Sequence, residues 1–249
     1  MGSPLTGLAT QGLRWAPLGR ALLDFHRGVA SGRIIVHTDL WHDEATPVEA
    51  FYRPDDEPLP DLELIALENC RGKTLDLGAG AGRHALELQQ RNIDVTALDV
   101  SAGAVEVMRD RGVREARCGD LDAVAGERYD TILLLMHGIG LVGTLDGLED
   151  FLVRVRRYLV DEGQLIFDSA DLGIVIPEQF DEGLEDWRKG GLYPGEVEYR
   201  LTYKELEGDP YPWLFIDPVT LSDRASAADF EMEVIARGDR GTFLARLTV

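Results

Sequence analysis

Several residue types are scarce in this sequence, and each shortage excludes a class of protein. Two cysteines occur among the 249 residues, Cys70 and Cys118, and they lack the spacing of a zinc site or a disulfide framework. Because both lie in apolar stretches, we expect buried free thiols. No apolar run approaches the roughly 18 residues that cross a bilayer, and the first 30 residues lack the pattern of a secretory signal. The sequence therefore predicts a cytoplasmic protein without a membrane partner.

Lysine is also scarce, and acidic residues dominate. Three of the 25 basic residues are lysines, whereas Asp and Glu total 45, and the net charge is −20. Binding to nucleic acid normally depends on clustered basic side chains, so we predict no nucleic-acid partner. An acidic, lysine-poor surface suits a salt-rich cytoplasm, where screening weakens the self-repulsion of the fold. A biased genomic base composition would explain the same residues equally well.

The first 60 residues predict an N-terminal extension that is mainly helical. Residues 13–27 have the apolar spacing of an amphipathic helix, and residues 33–37 form a short β-rich run. Thr46 followed by Pro47 is typical of a helix start with Thr46 as the N-cap. Prolines and acids at 54–60 indicate a surface connection, after which a helix is predicted at 61–69. We expect residues 1–60 to form an extension or lid, and residues 61–249 to form the main domain.

Apolar runs alternate with helical segments from residue 73 to residue 168. This alternation predicts an α/β fold, with a parallel sheet that helices cover on both faces. The strongest strand contains the apolar run 132–136, which is typical of burial on both faces. Strands are predicted at 73–77, 94–100, 114–118, 129–136 and 164–168, and helices at 83–91, 101–111 and 145–159.

Residues 172–212 interrupt the alternation. Val197, Tyr199, Leu201 and Tyr203 alternate with polar residues, which predicts a β-hairpin or arm. Long connections in compact domains are usually functional, so we expect this β-rich insertion to form a lid over a substrate. A helix at 218–227 and two strands at 230–236 and 242–249 then predict a terminal hairpin.

The segment 74–84, with sequence TLDLGAGAGRH, places glycines between the first strand of the sheet and its helix. Glycine lets the backbone bend sharply and approach a ligand closely, and amides at a helix start attract an anionic group. Asp99 ends the second strand, 21 residues after Gly78, where a carboxylate can accept hydrogen bonds from ribose hydroxyls. Asp120 ends the third strand and can accept from an adenine amine. Together these positions predict a site for an adenosine with a charged tail.

These motifs resemble motifs I and II of the class I S-adenosylmethionine-dependent methyltransferases, and the chain is similar to an uncharacterised bacterial branch of them. The resemblance covers residues 62–171 well. It implies a Rossmann-like seven-stranded sheet, S-adenosyl-L-methionine as cofactor, and methyl transfer to oxygen or nitrogen of a small molecule. By the family pattern, Gly78 and Gly80 line the methionine, Asp76 lies near its ammonium, Asp99 holds the ribose and Asp120 the adenine. The neighbouring residues that we expect to contact the cofactor are Ala79, Gly82, Val100, Leu121 and Met136.

Three further residues are candidates with a competing interpretation. His137 follows the fourth strand, where it could act as a general base or simply hydrogen-bond within its loop. Arg53 could reach the methionine carboxylate or lie solvated at the surface. His84 could flank the cofactor tail or lie on the helix surface. His37, Trp41 and His42 match no metal-ligand spacing, so no metal is predicted.

Two other functions stay open at this point. A nicotinamide-dependent oxidoreductase also uses a glycine turn and a ribose acid, but its third glycine comes one place later than Gly82. Asp76 in the first strand would also repel a pyrophosphate. A binding protein that holds S-adenosylmethionine without turnover would keep the same motifs. We expect a monomer or a homodimer.

Overall fold

The computed structural model describes residues 8–29, 32–54, 57–175 and 193–249. The main sheet has seven strands: β3 (Lys73–Leu77), β4 (Asp94–Asp99), β5 (Ala116–Cys118), β6 (Tyr129–Leu134), β7 (Leu159–Ala170), β11 (Glu231–Arg237) and β12 (Thr242–Thr248). Their order across the sheet is β11-β12-β7-β6-β3-β4-β5. The strands β3 to β7 run parallel, whereas β12 is antiparallel to both β7 and β11. This order confirms the Rossmann-like sheet and the terminal hairpin that the sequence predicts.

Helices pack on both faces of this sheet. One face buries Leu148 and Leu152 of one helix and Leu221 of another, and the opposite face buries Leu88 and Met108. Three of the helices begin at side-chain caps. Ser101 Oγ accepts from the Ala104 amide at 3.3 Å, Thr144 Oγ1 from the Gly147 amide at 3.0 Å, and Asp217 Oδ1 from the Thr220 amide at 2.9 Å. The helices around the sheet are α3 (Asp61–Asn69), α4 (Arg83–Gln90), α5 (Ala102–Asp110), α6 (Leu145–Val155), α7 (Leu172–Val175) and α8 (Pro218–Ala227).

The N-terminal extension and the insertion share a second, antiparallel sheet. The elements of these two segments are α1 (Leu8–His26), β1 (Arg33–Thr38), β2 (Glu44–Pro47), α2 (Val48–Tyr52), β8 (Glu196–Tyr203), β9 (Leu206–Glu207) and β10 (Tyr211–Leu214). The strand order of the second sheet is β10-β8-β1-β2, and β9 pairs with β8. The extension is thus not only helical: its strand β1 pairs with β8, so that His37 lies opposite Arg200.

The helix α1 lies tightly against α5 of the main domain. A Cβ on Gly103 would come within 2.7 Å of the Gly19 carbonyl oxygen, and a Cβ on Gly19 would overlap the Ser101 hydroxyl. Glycine at both positions therefore allows the two helices to approach closely. Leu22 of α1 and Val107 of α5 are fully buried in the same apolar cluster.

Several local predictions were wrong. Thr46 is not an N-cap: it pairs with Ile34 within β2, its backbone stays extended, and Pro47 takes the cap position without a side-chain acceptor. Cys118 is exposed, because β5 is a three-residue edge strand, whereas Cys70 is buried as predicted. The helix predicted at 145–159 ends at Val155, and the strand predicted at 164–168 begins earlier, since β7 starts at Leu159. The part of the predicted insertion at 176–192 lies outside the described residues.

Candidate active site

A cavity of about 320 Å³ lies between the carboxyl ends of β3 to β6 and the second sheet. Open parallel sheets bind their ligands at this edge. The cavity is lined by all but two of the sequence-predicted residues, namely Asp76, Gly78, Ala79, Gly80, His84, Asp99, Val100, Asp120, Leu121, Met136 and His137. Gly82 and Arg53 are the two that do not line it.

The glycine turn between β3 and α4 explains why glycine is needed there. Gly78, Gly80 and Gly82 all have positive φ, between 55° and 79°. A Cβ on Gly80 would meet nothing within 4 Å, so this residue leaves open space beside the cavity. Gly82 differs, because a Cβ there would come within 2.8 Å of Met108 and Val113 side chains. It therefore allows α4 to pack closely against its neighbours and does not contact the cavity.

Asp99 is held in a fixed orientation at the end of β4. Its Oδ2 accepts from the Gly80 amide and its Oδ1 from the Ser101 amide, each at 2.8 Å. Burial raises the pKa of this carboxyl, although the two amides act in the opposite direction. Each carboxylate oxygen retains a free lone pair, so the carboxylate can accept two hydroxyl hydrogen bonds without moving.

Asp76 and Arg83 bring unpaired polar atoms of opposite charge to the same cavity. Asp76 is 1 % exposed, and its Oδ2 has no hydrogen-bond partner. Burial raises the pKa of Asp76 to about 6, and the charge of Asp99 contributes to this rise. The Arg83 guanidinium is buried and neither Nη1 nor Nη2 makes a hydrogen bond, although Nη1 lies 3.2 Å from the Glu63 carboxylate. Buried polar groups are normally hydrogen-bonded, so Asp76 Oδ2 and Arg83 Nη2 fit a ligand that carries both an amine and a carboxylate.

A buried glutamate holds the basic groups around this end of the cavity. Glu63 of α3 contacts the Arg53 guanidinium at 2.7 Å, His84 Nε2 at 2.6 Å and Arg83 Nη1 at 3.2 Å. Burial opposes ionisation of Glu63, but the hydrogen bond and charge of His84 and the charges of both arginines lower its pKa overall. His84 is buried, so the helix-surface interpretation was wrong. Arg53 faces Glu63, and neither of its competing interpretations describes this contact.

Sequence reasoning missed Glu63 and Arg83. Arg83 occupies the first turn of α4, where the positive end of the helix dipole disfavours a cation. This unfavourable position is visible in the sequence, so it could have identified Arg83 as a candidate site residue. Glu63 carries no such signal, because its partners come from other segments of the chain.

At the other end of the cavity, Asp120 follows β5. Its Oδ1 accepts from the Asp122 amide at 2.9 Å, and the Arg154 guanidinium lies 3.9 Å from Asp120 and 2.7 Å from Asp122. Leu121 is buried beside it. Asp120 therefore combines an acceptor oxygen with an apolar neighbour, which suits the edge of an adenine ring.

His137 lies where β6 ends, in a strained part of the chain. Met136 and His137 have φ values of 63° and 57°. The His137 amide donates to both carboxylate oxygens of Asp168 at 2.9 Å, and its Nδ1 lies 3.6 Å from Asp168 Oδ2. Burial raises the pKa of Asp168, while the charge of His137 acts in the opposite direction. The backbone of His137 is thus fixed by the same carboxylate that its ring faces.

The wall of the cavity that covers the sheet edge comes from the extension, the insertion and the residues just after the insertion. These side chains are almost all apolar or aromatic: Trp15, Leu18, Leu22, Val36, Phe51, Tyr199, Leu201, Tyr211, Pro212, Trp213 and Phe215. The indole of Trp213 lies on the backbone of Gly140, where a Cβ would overlap it. A Cβ on Gly143 would come within 2.9 Å of Pro212. The glycines after β6 therefore allow β10 to lie directly on the loop that carries His137.

Comparisons with known proteins agree with this geometry. A family model described as a methyltransferase domain matches residues 74–163. The crystal structure of an S-adenosylmethionine-dependent methyltransferase from Bacteroides fragilis, in complex with S-adenosyl-L-homocysteine, is 36% identical. It has a TM-score of 0.82, and the match covers 95% of this chain and 96% of that one.

More distant structures share the fold. The CcbJ methyltransferase from Streptomyces caelestis is 14% identical with a TM-score of 0.59, covering 80% of this chain and 94% of that one. An S-adenosylmethionine-dependent methyltransferase from Clostridium acetobutylicum is 12% identical with a TM-score of 0.55, and the match covers 78% of this chain and 93% of that one. The identity and coverage of the Bacteroides protein, together with the glycine turn and Asp99, show that this chain belongs to the S-adenosylmethionine-dependent methyltransferases and uses S-adenosyl-L-methionine as its cofactor.

Proposed function

We propose that the protein transfers a methyl group from S-adenosyl-L-methionine to an oxygen or nitrogen atom of a small molecule. The donor would lie along the carboxyl ends of β3, β4 and β5, and the acceptor beneath the second sheet. The observation that carries this proposal is the set of fixed and unpaired polar atoms on one cavity. Asp99 is oriented by two amides, and Asp76 and Arg83 have unpaired atoms.

Each part of the donor has a matching group on this chain. Asp99 would accept from the two ribose hydroxyls, and Asp120 from the adenine amine. The Asp76 carboxylate would neutralise the ammonium, and the Arg83 guanidinium would bind the carboxylate of the methionine. Arg53 was our sequence-based candidate for that carboxylate. Since its guanidinium contacts Glu63 at 2.7 Å, we assign it the role of holding Glu63 in place.

The sulfonium supplies a methyl group that is already activated, so positioning provides much of the acceleration. The chain's own groups bind the donor, orient the acceptor and exclude water. The helix α1 and the strands β8 and β10 cover the reacting end with apolar side chains. His137 is the group at that end that could take a proton when the acceptor must lose one.

A small acceptor fits this enclosure better than a nucleic acid. The second sheet and α1 cover the chamber, and the net charge of −20 would repel a phosphate backbone. Within the described ranges, no helix is both long and apolar enough to cross a membrane. A cytoplasmic location and a monomeric or homodimeric state stay predictions.

Titration calorimetry with S-adenosyl-L-homocysteine tests the donor site. We expect the wild-type protein to bind this product and not to bind nicotinamide dinucleotides. Asp99→Ala removes two charge-assisted hydrogen bonds, each of about 1.5–3 kcal/mol, and should weaken binding by at least about 100-fold.

Asp94→Ala is the matched control, because Asp94 is an exposed carboxylate on the same strand, at the end away from the cavity. It should bind the product as the wild type does. Equal affinity of Asp99→Ala and the wild type would contradict the proposed donor site.

A further inference from the structure

We propose that the methyl acceptor is a neutral, planar aromatic molecule and that its reacting group is a phenolic hydroxyl, which His137 deprotonates with Asp168 as a positioning residue. This inference rests on the proposed function and names the acceptor class of the same site.

The acceptor chamber is built largely from aromatic rings in mutual contact. Trp15 and Tyr211 have ring centroids 4.9 Å apart, and Tyr199 lies 5.7 Å from Trp213 and 6.3 Å from Phe215. All five rings line the cavity. A planar aromatic molecule can stack on or meet the edges of such rings, with a gain beyond that from area burial alone. A saturated or sugar-like acceptor could not make these stacking and edge contacts with the rings.

The chamber provides little to stabilise a charged acceptor. Among the described residues that the extension and the insertion contribute to the lining, Arg14 is the one charged side chain. Burial raises the pKa of both Tyr199 and Tyr211, so the surroundings already oppose a negative charge there. Moving an ion into such surroundings is unfavourable unless it is paired with an opposite charge. The acceptor should therefore enter neutral.

A continuous set of rings leads from the chamber to His137. Phe215 contacts Tyr199 on one side, and on the other its ring centroid lies 5.5 Å from that of His137. His137 adjoins Met136 at the end of β6, beside the glycine turn that binds the donor. An acceptor stacked on these rings would thus place its edge at the imidazole and at the donor end of the cavity.

His137 and Asp168 have the arrangement of a base and the group that orients it. The ring Nδ1 faces Asp168 Oδ2 at 3.6 Å and has no hydrogen-bond partner, so a small shift on substrate binding closes the contact. With the Nδ1 proton directed at Asp168, Nε2 carries the free lone pair. Glu63 on α3 is a second carboxylate whose charge reaches Asp168.

The reaction balances without a further reactant. The phenolic O–H bond breaks, and its proton goes to His137 Nε2. An oxygen lone pair forms the new bond to the methyl carbon, and the electron pair of the broken S–C bond stays on sulfur. A phenolic hydroxyl is a weak acid with a pKa near 10, so the proton transfer to His137 is unfavourable alone and is completed by methyl transfer.

The first test compares, by calorimetry, the binding of three related probes to protein saturated with S-adenosyl-L-homocysteine. We expect 2-naphthol to bind at least about tenfold more tightly than 2-naphthoate, which is charged, and 2-decalol, which is saturated. With S-adenosyl-L-methionine, 2-naphthol should give its methyl ether by mass spectrometry, and 2-aminonaphthalene should give no N-methyl product.

Two tryptophan variants provide a matched pair. Trp213→Leu removes a ring that lines the chamber and should weaken 2-naphthol binding by about tenfold. Trp41→Leu removes a ring that contacts Tyr199 and Phe215 but is not part of the lining, and it should change the affinity less than about twofold.

The pH dependence tests the base. His137→Gln should lower kcat by about 10²–10⁴-fold and leave a rate that rises only near pH 10, while both ligands bind as before. Asp168→Asn should lower kcat by at least about tenfold and change the KM for 2-naphthol by less than about twofold, because the carboxylate orients the imidazole for proton transfer. If Asp168 has a merely structural role, kcat and KM should change together or not at all.

The outcomes separate the two proposals. If S-adenosyl-L-homocysteine does not bind, the proposed function fails. If it binds but 2-naphthol does not, or 2-naphthol binds without forming its methyl ether, the acceptor assignment alone is overturned. Preferential methylation of 2-aminonaphthalene, or an unchanged pH profile in His137→Gln, would overturn it as well.

Discussion

Replacing Asp76 with asparagine should stabilise the protein and weaken its cofactor binding. Asp76 is fully enclosed, its Oδ2 has no partner, and burial raises its pKa to about 6 from an ordinary value of 3.8. Between these two pH values the folded protein holds a proton that the unfolded chain has lost. Ionisation of Asp76 in the folded state therefore reduces stability as the pH rises from about 4 to 6.

The size of the effect follows from the pKa difference. About two pKa units correspond to about 3 kcal/mol at neutral pH, since each unit is worth 1.36 kcal/mol. Asparagine has nearly the same shape and no charge to bury, so Asp76→Asn should raise the free energy of unfolding by about this amount. In a domain of this size the gain corresponds to roughly 6–12 °C in Tm.

The assay is urea unfolding of the ligand-free protein at two pH values. The stability gain of Asp76→Asn should be about 3 kcal/mol at pH 7.5 and about half of that at pH 5, because the wild-type carboxyl is then mostly protonated. Titration with S-adenosyl-L-homocysteine should show that the variant has lost at least about tenfold in affinity, since the ammonium loses its counter-charge. Wild-type affinity should likewise fall as the pH drops through about 6.

Asp94→Asn serves as the control, because Asp94 is exposed and its replacement should change stability by less than about 0.5 kcal/mol. A destabilised Asp76→Asn protein, or a stability gain that does not depend on pH, would refute the argument that Asp76 is a buried charge kept for binding.

Three further predictions concern other parts of the molecule. Gly140→Ala should displace the Trp213 ring and cost about 1–3 kcal/mol of stability by urea unfolding; a change below about 0.5 kcal/mol would contradict the close packing. Cys118 should react with a thiol reagent in the native protein and Cys70 should not, since burial raises the pKa of Cys70 to about 12; Cys118→Ser should then show no native reactivity. If the acidic surface is an adaptation to salt, lowering the ionic strength should reduce Tm by at least about 5 °C, or roughly 2 kcal/mol, whereas a flat response would favour biased base composition.

The sequence predicts the donor half of the site because its signals are local. The glycine turn lies between one strand and the next helix, and Asp99 ends the adjacent strand. Parallel strands bring their carboxyl ends to one edge, so alternation along the chain already places Asp76, Asp99 and Asp120 together. The packing of the glycines after β6 against Trp213 and Pro212 became visible only in the structure.

The acceptor half could not be predicted because it depends on pairing between distant segments. β1 pairs with β8, which begins 158 residues after β1 ends. Alternating residues in β8 indicate a strand, but they carry no information about its partner. The same holds for Glu63, whose contacts with Arg53 and His84 join three segments. The sequence did not predict the exposure of Cys118, because its apolar surroundings belong to a short edge strand that buries few of its side chains.

A crystal structure with S-adenosyl-L-homocysteine tests the donor site most directly. It should show both ribose hydroxyls on the Asp99 carboxylate, the adenine amine at Asp120, and the amine and carboxylate of the amino-acid end at Asp76 and Arg83. A product bound elsewhere, or one in this cavity whose ribose does not contact Asp99, would contradict the account.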